Sequence, residues 1–465
     1  MQSPREGISR RGSRSEGAAI STNHQFHEPP WLGLTNALLE SLRGRISLIQ
    51  PQEEREQLAR AALHQLTQLD GGRFPALPTD EARQDYLRAF FSYDLIEEFL
   101  KDPDVEDILI NATEPIFVHK TGRGLVKTDQ QFCSNWELEV FIKKLLLFAG
   151  RSDMDPINDV ELADVRGRVN ITSSPFGPQI TITRAKTQPL TILQLINHDM
   201  LSFELAAQLW LYVEGLRVRP SNLIIAGGPS TGKTTLLNAL LSFVPKGERI
   251  VVIEDTLELN TAFLENCSRL ESCRRVQTDA LVKNSLRMRP DRILVGEVRG
   301  EEARDMMTAM TLGKYCMSTV HASTARETVL RLQHEPMNVP PVQVSLVDVF
   351  VILRKLNVNG TIHRIVDETV ETAGMEEQVV LFSTVWSYDR KRRQFVETSP
   401  SSVFRDRLAT ESGRTSRQII DETARRAKIL RLMHQSGGFP DIAAVTRFCQ
   451  LYSDAPDHAL TQLQT

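Results

Sequence analysis

The chain has 465 residues, with 55 Lys and Arg against 59 Asp and Glu, a formal net charge of -4, 41% hydrophobic and 25% charged residues. At roughly 150 residues per domain, that length holds about three domains whose cores need no disulfide or structural metal. This balance excludes a collagen-like, wholly disordered or polybasic nucleic-acid-coating chain, and no apolar run approaches the roughly 18 residues that would span a bilayer.

Residues 1–31 are rich in Arg, Ser and Gly and lack the apolar centre of a secretory signal, so they read as a disordered tail. Residues 32–100 place Leu38, Leu39 and Leu42, then Leu58, Ala61, Ala62 and Leu66, at helical spacing. Over 101–187 the pattern changes to short alternating runs broken by Gly and Pro, with one helical stretch at 136–148, which predicts a small α+β domain. Residues 188–219 read as a connector with a helix near 203–215. From 220 to 398, apolar strands alternate with helices, which predicts a mostly parallel sheet covered on both faces. Residues 399–465 read as helical: Thr415 and Gln418 form a capping-box pattern, Ile420, Ala424, Ala427 and Leu430 form a stripe, and Gly437-Gly438 stops it. The five cysteines (Cys133, Cys267, Cys273, Cys316, Cys449) contain no C-x-x-C pair, as expected for a reducing compartment.

The sharpest chemical signal is Gly227-Gly228-Pro229-Ser230-Thr231-Gly232-Lys233-Thr234, followed by Thr235, between an apolar strand and a helix. It fits G-x-x-x-x-G-K-[ST]: the glycines let backbone N–H groups converge on a phosphate, Lys233 brings a mobile cation, and the Thr234 hydroxyl suits Mg²⁺. Three more strands end in chemistry-bearing groups. One ends in Glu254-Asp255, followed by Glu258, at the strand end where such sheets bind ligands. The next ends in Gly296-Glu297, where many phosphate-loop proteins have Asp-Glu, making Glu297 the candidate to polarise water; its alternative is a salt bridge with Arg299. The last ends in His321, a candidate γ-phosphate relay. Met306, Met307 and Met310 read as helix core.

Together, GGPSTGKTTLLNAL, VIEDTLEL, LRMRPDRILVGEVRGEEARDMMTAM and STVHASTARETVLRL resemble, in order, the Walker A, acidic, atypical Walker B and His boxes of the type II/IV secretion motor ATPase superfamily. VEDILINATEPIFVHKTGRG and GRVNITSSPFGPQITITR resemble the opening and end of its N-terminal domain. The C-terminal segment resembles the tail of archaeal members, which drive archaella, type IV pili or secretion. The resemblance implies an α/β, RecA-like P-loop core behind a smaller PAS-like α+β domain, with ATP and Mg²⁺ as cofactors and a homo-hexameric working unit. It also implies a polytopic membrane platform as partner, at the cytoplasmic face of the membrane, and no zinc. Arg168 and Arg184, at the end of the N-terminal domain, become candidates to meet the phosphates on closure, the alternative being an inter-domain salt bridge. The competing reading is a nucleic-acid translocase or DNA-transfer ATPase; the near-neutral charge supplies no footprint for stable nucleic-acid binding.

Overall fold

The computed structural model describes residues 28–463, apart from 47–49, 70–71, 73, 121–122, 152–153, 163–166, 185–188, 274–275, 359–360 and 400–402. The expected tail therefore lies almost wholly outside the described residues, and the first helix already begins at Pro29. The chain forms two compact units, Met1–Lys186 and Thr187–Thr465.

The first unit opens with four helices, α1 (Pro29–Leu42), α2 (Gln52–Leu69), α3 (Asp80–Phe91) and α4 (Glu97–Lys101). It continues with β1 (Val105–Asn111), β2 (Phe117–Lys120), β3 (Gly124–Lys127), α5 (Asn135–Phe148), β4 (Ile157–Leu162), β5 (Gly167–Thr172) and β6 (Gln179–Arg184). The strands make one antiparallel sheet in the order β3-β2-β1-β6-β5-β4. Helix α5 starts where sequence chemistry allows: the Ser134 hydroxyl accepts the Glu137 amide at 3.1 Å while the Glu137 carboxylate accepts the Cys133 amide at 2.7 Å. Its Leu138, Phe141, Ile142 and Leu145 join the sheet core with Ile108, Ile180 and Ile182, while Val140 and Leu147 join the core of α1–α3.

The second unit begins with α6 (Ile192–Asn197) and α7 (Phe203–Glu214), then β7 (Leu223–Gly227), α8 (Lys233–Leu240), β8 (Ile250–Glu254), β9 (Cys267–Glu271), α9 (Thr278–Ser285) and β10 (Arg292–Val295). There follow α10 (Glu302–Thr311), β11 (Tyr315–Val320), α11 (Ala325–Gln333), α12 (Pro341–Val344), β12 (Val349–Val358), β13 (Thr361–Glu376), β14 (Val379–Asp389) and β15 (Gln394–Glu397). Four helices close it: α13 (Val403–Ser412), α14 (Ser416–Ser436), α15 (Ile442–Asp454) and α16 (Pro456–Gln462). One sheet runs β15-β14-β13-β12-β7-β11-β10-β8-β9. From β12 to β9 every neighbouring pair is parallel, and the inner strands β7, β11, β10 and β8 are buried on both faces, as continuous apolar runs such as Leu223–Gly227 and Ile250–Glu254 require. Alternate residues feed two cores: Ile225 and Val252 face α7, α8 and α14, while Ile224 and Val251 face α10 and α11 with Met306 and Met307.

The sheet is mostly parallel, as expected, and β13, β14 and β15 extend it as an antiparallel meander beyond β12. Two other expectations need correction. Residues 188–219 are more than a connector, because α7 buries Trp210 and Tyr212 completely in the core of the second unit. The stripe on α14 is displaced as well: Ile419 is buried while Ile420 is exposed. The capping box at Thr415 and Gln418 is formed, and Gly437 ends the helix with φ 65°.

Candidate nucleotide-binding site

All the strand-end motifs except the arginines lie at the C-terminal end of the second unit's parallel sheet. β7 delivers the chain at Gly227, and the loop must double back tightly before α8. A Cβ on Gly227 would stand 2.5 Å from Thr231 Oγ1 and 2.9 Å from Leu353 O, so only glycine fits. Gly232 adopts φ +95°, and Ser230, a non-glycine residue, φ 53°. The turn is held internally: Thr231 Oγ1 donates to Gly228 O at 2.9 Å, and Lys233 Nζ donates to Gly227 O and Gly228 O, both at 3.1 Å. Lys233, Thr234 and Thr235 form the first turn of α8, whose amides have no intrahelical partner and carry the positive end of the helix dipole. Pro229 and Ser230 are exposed at the crest of the loop.

The Lys233 ammonium lies 3.3 Å from His321 Nδ1, and His321 Nε2 lies 2.8 Å from Glu297 Oε1. An ammonium has only donors, so Nδ1 accepts and a neutral ring carries its proton on Nε2; the contact of Nε2 with Glu297 Oε1 is a close approach and not an aligned hydrogen bond. Burial, followed by the Lys233 charge, holds His321 below the ordinary histidine range, which favours the neutral ring at pH 7. Burial likewise lowers Lys233, against the opposing charges of Glu297 and Glu258. The second Glu297 oxygen, Oε2, accepts from Arg299 Nη2 at 2.7 Å, so the salt bridge foreseen as an alternative coexists with the histidine contact. Arg331 on α11 donates to the His321 carbonyl and fixes that strand end.

Glu254 is placed differently. It is buried, and its Oε1 accepts the amides of Glu258 and Leu259, each at 3.0 Å, while Arg269 Nη2 lies 3.6 Å from Oε2. Burial pushes its carboxyl up to about 7. The same side chain explains Gly296: a Cβ there would come within 2.9 Å of Glu254 Cγ. The missing aspartate is therefore a packing consequence of the glutamate on the neighbouring strand.

Arg168 and Arg184 both belong to the first unit. Arg184 Nη1 donates to the carbonyls of Phe99, Asp102 and Val105, tying the end of α4 to the start of β1. Arg168 is exposed on β5, opposite Glu161 on β4, and its Nη2 lies 3.7 Å from Asp159 Oδ1. Sequence reasoning missed Arg364, whose Nε donates to Ser230 O at 3.0 Å. It also missed Glu302, whose Oε1 accepts the amides of Arg299 and Gly300. Glu302 had a local signal in its place at the start of a helix just after Gly300; Arg364, 134 residues from its partner, had none.

A doubly covered, largely parallel sheet with a lysine-bearing glycine loop between its first parallel strand and the following helix defines a phosphate-loop α/β protein. A family profile described as type II/IV secretion system protein matches residues 159–437, and the chain belongs to that family. An uncharacterized protein of Methanocaldococcus jannaschii is 33% identical over 377 residues, covering 76% of this chain and 67% of that one. A conjugal transfer protein TrbB of Rhizobium radiobacter is 28% identical over 240 residues, covering 50% of this chain and 73% of its own. Among solved structures, the Legionella pneumophila ATPase DotB aligns with 74% of this chain and 87% of its own at 20% identity, with a TM-score of 0.45. No helix among the described residues is long and apolar enough to cross a membrane.

Proposed function

We propose that this protein is a Mg²⁺-dependent ATP hydrolase, the RecA-like motor of a type II/IV secretion or pilus-type machine. The observation that carries the reading is the relay from Lys233 through His321 to Glu297, built onto a phosphate loop. The residues present fit a triphosphate: Gly227 keeps the loop open where a Cβ would close it, and Lys233 aims its ammonium at the loop's own carbonyls. The loop amides and the first turn of α8 bind phosphate oxygens. Thr234 would hold Mg²⁺, which supplies charge neutralisation on the phosphates. Glu297 orients the attacking water and accepts its proton; its Oε2 is held by Arg299, and His321, packed 2.8 Å from its Oε1, can turn its ring toward the γ-phosphate. Arg299, beside Glu297, is a fork of donors for the charge that develops on the transferred group. Glu254 acts through others, by anchoring the turn that carries Glu258.

The test is mutational. Lys233→Ala should lose nucleotide binding, whereas Glu297→Gln should keep it and lose at least about a hundredfold in turnover. A Glu297→Gln protein that hydrolyses ATP at the native rate would remove Glu297 from the chemistry.

The motor reading adds a homo-hexameric ring and a polytopic membrane platform, both supported by membership of the secretion family. Exposed Arg168, 3.7 Å from Asp159, is the arginine we assign to meet a nucleotide on closure. Arg184, already bonded to three carbonyls, serves the first unit's own architecture.

A further inference from the structure

Two cations beside the phosphate loop have no part in the reaction above. Lys355 on β12 and Arg364 on β13 are directly opposed cross-strand partners, so their side chains leave the same face of the sheet. Both are exposed. The neighbouring Arg354 and Arg390 both close on Asp367, but among the described residues no carboxylate pairs with Lys355 or Arg364. Arg364 Nε donates to Ser230 O at 3.0 Å, and its Cδ lies 3.8 Å from where a Cβ on Gly232 would stand. Lys355 is close enough to Lys233 for their charges to oppose each other. Like charges on opposed strand positions repel, and three cations converging on one loop repel further, so the arrangement is relaxed by an anion seated among them.

The sheet order says which part of that anion they reach. Glu254, Glu297 and His321 follow β8, β10 and β11, which lie on one flank of β7; β12 and β13 lie on the other. The hairpin therefore flanks the loop on the side away from Glu254, Glu297 and His321. We infer that Lys355 and Arg364 form a cationic clamp for the phosphates that ATP and ADP share, recognising a nucleoside diphosphate moiety rather than the transferred group. This rests on the nucleotide-site reading above. Binding made equally to substrate and product sets affinity for both and leaves the distinction between them to the Glu297 side.

The experiment measures dissociation constants of the full-length protein for ATP and for ADP, with Mg²⁺, in the native form and in Lys355→Gln and Arg364→Gln. Each substitution should weaken both nucleotides by the same factor, about tenfold, as expected for loss of one charge-assisted contact. Arg364→Gln also removes a bond to the loop, so Lys355→Gln, which touches no loop atom by hydrogen bond, is the cleaner variant. Native affinity in Lys355→Gln, or a loss confined to ATP, overturns the clamp. The underlying reading is judged separately by Lys233→Ala: if the native protein binds nucleotide and Lys233→Ala does not, the reading stands whatever the hairpin does. A native protein that binds neither nucleotide would overturn both.

Discussion

Glu254 shows how a single side chain acquires its role from its surroundings. As a strand-end carboxylate it was legible as part of the site, but a sequence could not show that it would turn back onto the amides of Glu258 and Leu259 or fill the space at Gly296. Its burial gives a pH signature. The folded-state carboxyl is raised to about 7, so the stability it is associated with is full below the ordinary glutamate range and is lost as pH rises toward and through that value. The loss is at most about 3 kcal/mol, with Arg269 beside Oε2 moderating it. Glu254→Gln keeps an oxygen for the two amides and carries no charge, so its melting temperature should stay flat between about pH 5 and pH 8 while the native protein's falls. Parallel profiles for the two proteins would show that Glu254 does not titrate in that window.

Among elements, α7 and α14 form where the sequence places helices, but their burial was not legible. Arg426 on α14 is 2% exposed, paired with Glu214 at the end of α7 and with Glu422 at 2.9 Å, and its guanidinium lies 4.8 Å from the Trp210 ring centroid. A buried cation with two carboxylates and an aromatic face pins the last helices to the sheet's cover, which is why the expected connector behaves as core. Removing one partner leaves an uncompensated charge, so Arg426→Ala should lower stability by about 3–5 kcal/mol in thermal or denaturant unfolding. Adding Glu214→Gln should restore much of that loss; a double variant as unstable as the single one would mean that packing, rather than stranded charge, dominates. The caps were readable because they are local: Thr415 and Gln418 lie three residues apart. The strands β13–β15 were not, since a bulge shifts the register of β13 so that Arg364 and Glu368 leave opposite faces, and their pairing partners are set by neighbours rather than by their own composition.

At the scale of the whole molecule, the proposed ring makes turnover a property of neighbouring subunits. If Arg168 reaches a neighbour's nucleotide, mixing native protein with Arg168→Ala should depress turnover more than dilution alone accounts for, in a steady-state phosphate-release assay. Strictly proportional turnover would return Arg168 to a surface pair with Asp159. The proposed motor transmits its stroke through the embedded platform that the same proposal names. The protein should therefore pellet with membranes only when a platform protein is co-expressed, and high salt should release it. Equal pelleting without the platform would point to lipid binding, and no pelleting in either case would favour the nucleic-acid translocase reading.

The phosphate loop, its strand-to-helix setting, and Glu297 and His321 at strand ends were all legible in the sequence. Each is a short-range pattern in which residue type and spacing carry the chemistry, and a phosphate loop works by local backbone geometry. What only the tertiary structure decided are the long-range pairings: the Lys233-His321-Glu297 relay, Glu254 against Gly296, Arg426 against Glu214 and Trp210, and Arg364 on Ser230. Those depend on which strands become neighbours in the sheet and which helices cover them. That choice is made by the summed burial of two apolar cores, and no local window of the chain contains it.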